Sequence, residues 1–114
     1  MDFAQFKNIS RWIHKTVDTE HFSFEDCMTV FGLYFNAYRD FMGEGHPIPS
    51  YKQIAAVMEK MPYADIERRF PLTPEDYEVL IPAYFLIQFR GCDYRISHFF
   101  AGDIRENRYY ETLY

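Results

Sequence analysis

FSFEDCMTVFGLYFNAYRDFM, residues 22–42, runs through GEGHPIPS, residues 43–50, into YKQIAAVMEKM, residues 51–61. This stretch reads as two capped helices joined by a rigid elbow. Ser23 is a good N-cap, and Asp26 three residues later completes a variant of the capping box. Phe22 and Cys27 occupy the positions of a hydrophobic staple. Cys27, Met28, Phe31, Tyr34, Phe35, Tyr38, Phe41 and Met42 then recur at helical spacing, predicting a helix from about Phe24 to Met42 with an aromatic core stripe. Gly43 is placed to end it in a left-handed conformation. Pro47 and Pro49 fix their own φ and push His46 and Ile48 toward extended backbone, so the next helix leaves at a defined angle. Ser50 with Gln53 forms a full capping box, and Ile54, Val57, Met58 and Met61 make one apolar face before Pro62 stops the helix.

Working outward, Asp2 to about Thr19 reads as a first helix. Phe3, Phe6, Ile9, Ile13 and Val17 lie on its apolar face, with Trp12 beside them. Lys7, Arg11 and Lys15 line the other side, as a solvated edge or a phosphate-tracking ridge. Downstream, Ala64 to Phe70 is expected to make two helical turns that bury Ile66 and Phe70. Thr73-Pro74-Glu75-Asp76 is a strong helix start, with a cap, proline at the first turn and acids beside it. That helix is expected to reach about Phe89 with a kink at Pro82, and to pair centrally with Phe24–Met42. A short apolar run cannot be assigned by period alone, so Ala83–Phe89 with Tyr94–Phe100 remains open as a hairpin. A last helix starts at Ser97 or Asp103 and runs through Tyr110. The expectation is one all-α domain over residues 1–114, a compact bundle of about five helices, with a short hairpin near residues 83–100 as the alternative.

Composition agrees. The 114 residues suit one domain with one core. At 20% aromatic the chain is far from the composition of disordered segments. Twelve Phe and ten Tyr exceed what a small core takes, which places some tyrosines at a surface. A net charge of −5 disfavours general nucleic-acid binding and suits a protein partner. Cys27 and Cys92 make no CxxC, so a reducing, cytoplasmic setting is expected. No signal-peptide pattern or membrane-length apolar run appears, and no membrane partner is expected.

Catalytic signals are weak. Cys92 has Asp93 and His98 near in sequence but no nucleophile signature. His14, His21, His46 and His98 are scattered without metal-ligand spacing, and Gly43-Glu44-Gly45 lacks the Lys-Ser/Thr of a phosphate loop. No catalytic residue, metal ligand or cofactor is assigned.

Two surfaces stand out. Near the C-terminus Arg95, Arg105, Arg108, Tyr109 and Tyr110 combine the residue types enriched in interface hot spots, and are the candidate partner-binding residues. The same residues have an intramolecular reading, in which Arg105 and Arg108 pair with Asp103, Glu106 or Glu111 and the tyrosines cover the core. The alternative surface is a helix-turn-helix over Ser50–Phe70, or a winged helix with the hairpin. There Lys52, Lys60, Arg68 and Arg69 would contact DNA.

The segments DYRISHFFAGDIRENRYYE, residues 93–111, and YFNAYRDFMGEGHPIPSYKQ, residues 34–53, resemble parts of small uncharacterised proteins and replication-protein tails of Gram-positive phages and mobile elements. The resemblance covers the chain from about Tyr34 onward. It implies a mobile-element context and carries over no catalytic residue. It also implies a choice of roles: inhibiting a host defence nuclease such as a CRISPR effector, modulating replication, or binding DNA. The acidic charge favours the protein-binding roles. The expectation is a non-enzymatic chain that binds a host or phage protein, with nucleic acid as the alternative partner and a homodimer open.

Overall fold

The Ser23 hydroxyl accepts the Asp26 N–H, and the Asp26 carboxylate accepts the Ser23 N–H in return. The helix they start, α2 (Phe24–Met42), ends where Gly43 turns left-handed at φ +80 and its N–H donates to the Arg39 carbonyl. Ser50 and Gln53 cap α3 (Tyr51–Lys60) in the same reciprocal way. The computed structural model describes residues 2–114, and these form an all-helical domain. Around α2 and α3 lie α1 (Phe3–His14), α4 (Pro74–Phe85), the single turn α5 (Ile96–Phe99) and α6 (Ile104–Thr112).

The centre is α2 packed on α4, with α6 against α4 and α1 against α3. Tyr34, Tyr77 and Tyr84 are among the largest fully buried side chains. A buried tyrosine needs a partner for its hydroxyl, and each has one. Tyr34 donates to the Tyr94 carbonyl, Tyr77 to the Met61 carbonyl, and Tyr84 bonds His98 Nδ1. So a good share of the tyrosines is core, while Tyr51, Tyr110 and Tyr114 stay exposed.

Four expectations need correction. First, α1 ends at His14 rather than Thr19. The Thr16 N–H and hydroxyl both donate to the Ile13 carbonyl, an i→i−3 turn that closes the helix, and the Thr19 hydroxyl bonds the Phe22 carbonyl in the loop beyond. Second, α4 ends at Phe85 rather than Phe89. The Tyr94 hydroxyl accepts the Phe89 N–H and donates to the Ile87 carbonyl, satisfying a non-helical chain. Third, no hairpin forms at residues 83–100. The described residues contain no strand, only an isolated antiparallel bridge between Tyr63 and Pro71. Fourth, residues 64–70 are not helical, and Ile66, expected in the core, is 95% exposed.

Candidate protein-binding surface

The loop that replaces those two helical turns is braced from every side. At its base the Ala64 N–H donates to the Phe70 carbonyl and the Leu72 N–H to the Pro62 carbonyl. Inside it, the buried Asp65 carboxylate accepts the N–H groups of Arg69 and Phe70 and the Arg69 Nε, at 2.9, 3.1 and 2.9 Å. Burial alone would raise the Asp65 pKa. The Arg69 side chain and the two backbone donors outweigh it and hold the carboxyl below its usual range. Arg68 sits at φ +58 and pairs with Glu20, which also accepts the Tyr63 hydroxyl at 2.6 Å.

Arg105 braces the loop from below. It is 6% exposed, yet its guanidinium has no carboxylate within ion-pair distance among the described residues. Instead Nη1 donates to the Lys60 carbonyl at 2.7 Å, the Tyr63 carbonyl, and the Tyr77 hydroxyl at 3.2 Å, and the cation lies 4.6 Å over the Phe100 ring. Lys60 closes α3, so the cation meets the negative end of that helix dipole. Burial pushes the Tyr77 hydroxyl up to about 12, with Arg105 pulling against the rise.

Beside the loop, α6 adds an aromatic ledge. Tyr109 stacks on Phe70 at 4.9 Å, Tyr110 meets it edge-on at 5.3 Å, and Tyr114 lies 5.0 Å from Tyr110. Arg69 covers Phe70 at 5.1 Å and reaches Glu106 at 3.7 Å. Tyr110 and Tyr114 are 42% and 81% exposed. Ile66, Arg69, Phe70, Tyr110 and Tyr114 thus belong to one loop-and-helix unit. It is rich in the residue types that anchor interfaces, and its loop is tied down by Asp65, Arg105 and Glu20.

Of the residues singled out in the sequence, Tyr109 and Tyr110 lie on this ledge. Arg105 and Arg108 are corrected to internal positions. Arg105 clamps the loop, and the 7%-exposed Arg108 makes a fork to Glu111 at 3.0 and 3.1 Å. Arg95 is exposed but elsewhere, at the start of α5 and 3.4 Å from Asp93. Arg68 and Arg69, offered as DNA contacts, are engaged by carboxylates. Lys52 and Lys60 flank a hollow of about 180 Å³ between α3 and α5. Residues 61–73 hold no helix after α3, so the helix-turn-helix expected over Ser50–Phe70 has no recognition element, and the described residues have no strands to make a wing. Sequence reasoning missed Ile66 as surface, while Phe70 is partly buried against the core as expected. The signal was Pro62 and Pro71 bracketing a segment too short for a stable helix.

No family model, curated protein or solved structure matches the chain.

The remaining polar clusters have structural work. The Tyr84 hydroxyl stands between His98 Nδ1 and Cys92 Sγ, at 2.8 and 3.8 Å, and the sulfur accepts the Tyr94 N–H. Cys27 is fully buried, and burial with the adjacent Asp26 pushes its thiol up to about 12. The described residues hold no group of three metal-ligating side chains, and no described helix is long and apolar enough to cross a membrane.

Proposed function

We propose that the chain is a non-enzymatic binding protein that docks a partner protein through the Ile66 tip and the Phe70–Tyr110–Tyr114 ledge. One observation carries this reading. A 95%-exposed isoleucine crowns a loop fixed by a buried arginine and a buried aspartate. Ile66, Tyr110 and Tyr114 together expose apolar surface on one loop-and-helix unit, and a pre-ordered anchor loses little entropy on binding. The phage or mobile-element resemblance supplies the setting, a bacterial cytoplasm in which the partner is a host or phage protein. The chain's net charge of −5 favours a partner with a basic rim.

The test is comparative capture of partner from host lysate, at equal loading. Ile66→Asp and Tyr110→Ala/Tyr114→Ala lower recovery at least tenfold, whereas Lys7→Ala on the exposed face of α1 leaves it unchanged. Equal recovery by all variants removes the ledge as the working surface.

A further inference from the structure

A groove of about 490 Å³ lies between α1, α2 and the elbow. Its apolar walls include Phe3, Phe35 and Ile48; Phe3 and Ile48 remain half exposed. Among its lining residues, Asp2 is committed to capping α1 through the Gln5 N–H. His46 is committed too: Nδ1 bonds the Pro47 carbonyl and Nε2 accepts the Ile96 N–H. Burial lowers the His46 pKa, which favours this neutral ring. The cation on the groove wall is Arg39. It receives orientation from Asn36, whose side-chain oxygen accepts its Nη2 at 3.0 Å, and it makes no ion pair among the described residues. The groove therefore asks for an apolar side chain with a carboxylate beside it.

The chain carries such a group. Ile66 is followed by Glu67, whose side chain is 68% exposed and only loosely paired with Arg69 at 3.5 Å. The tip follows the C-terminal end of α3 and the groove adjoins its N-terminal end. Ten residues of helix hold the two apart by about 15 Å. A knob at one end and a socket at the other cannot meet within one molecule. They can meet between copies, in a heterologous head-to-tail contact.

We propose that a second copy of this chain is a partner of the Ile66 tip: Ile66 enters the Phe3–Phe35–Ile48 groove of the next molecule and Glu67 pairs with its Arg39. This builds on the binding role proposed for the tip and names one occupant for it. A pair of opposite charges at a small rim contact adds register more than affinity, so the association is weak and reversible. Repetition of the contact adds further copies rather than stopping at two.

Sedimentation velocity over rising protein concentration reads this directly. The wild type rises above its 13.8 kDa monomer mass with concentration. Ile66→Asp and Arg39→Glu each stay monomeric alone. Mixed, they restore a one-to-one dimer, because one retains an intact groove and the other an intact tip. The double variant Glu67→Arg/Arg39→Glu, with the charges exchanged, associates again. A wild type that is monomeric at millimolar concentration overturns the inference, as does association untouched by both single variants. If the wild type is monomeric while Ile66→Asp still loses captured partner, self-association fails and the binding role of the tip stands. If self-association behaves as described while partner capture is indifferent to Ile66→Asp, the host-partner reading fails instead.

Discussion

Replacing Arg105 by alanine is the sharpest perturbation of the framework beneath the ledge. The substitution removes charged donors from the Lys60 and Tyr63 carbonyls and the cation from the Phe100 face. Hydrogen bonds to a charged group contribute roughly 1.5–3 kcal/mol each, and a desolvated cation–π contact about 1–2 kcal/mol. Against that, the wild type bears several kcal/mol of desolvation for a guanidinium with no carboxylate beside it, which the variant escapes. The net expected loss is about 3 kcal/mol, a large part of the stability of a domain this size. It corresponds to a drop in Tm of roughly 10–15 °C. Arg105→Lys retains the charge but reaches the carbonyls without the planar fork, and falls about halfway. Urea unfolding followed by far-UV circular dichroism measures both, and equal slopes for the three proteins license reading midpoints as stability. A loss under about 0.5 kcal/mol for alanine would refute the clamp and return Arg105 to the surface role expected of it in the sequence.

Other positions give independent checks. His46 is held below its ordinary 6.5, chiefly by burial. Its unfolded form therefore takes up a proton first: stability is full above about pH 6.5 and falls as pH drops through the lower folded pKa, and the urea midpoint of His46→Gln is flatter over that range. Asp65 is held below the usual carboxylate range, so its contribution is present above about pH 4 and is lost as pH falls through its folded pKa. Asp65→Asn loses about 1–2 kcal/mol at pH 7 and little in acid, read by the same urea series. Gly43→Ala meets no atom within 4 Å, so its loss of about 1 kcal/mol comes from the backbone at φ +80 alone. Alkylation of the native protein labels the partly exposed Cys92 and spares Cys27, whose thiol is buried and raised to about 12, until unfolding exposes it.

The framework was legible where local chemistry is decisive. Ser23, Gly43 and Ser50 state their helix boundaries in their own side chains or lack of one, and α2 and α3 follow them to the residue. What resisted reading was set by distant groups. The end of α4 depends on the Tyr94 hydroxyl reaching back to Ile87 and Phe89. The loop at residues 62–72 depends on Arg105, some forty residues away, and on Glu20, as far in the other direction. Asp65 and Arg69 stand at helical spacing and form an ion pair, but here the aspartate draws backbone donors into a loop instead of supporting a turn of helix. That same non-local bracing explains the shift in the candidate site. The tail supplied the tyrosines as its composition suggested, while two of its arginines went inside and the apolar anchor came from a segment expected in the core.

The measurement closest to the central claim is partner recovery by Ile66→Asp relative to wild type, paired with the Tm of both. Ile66 makes so little contact with its own domain that the substitution leaves stability within about 0.5 kcal/mol. Recovery at least tenfold lower at unchanged Tm is the expected result. Undiminished recovery at unchanged Tm would contradict a binding role for the tip.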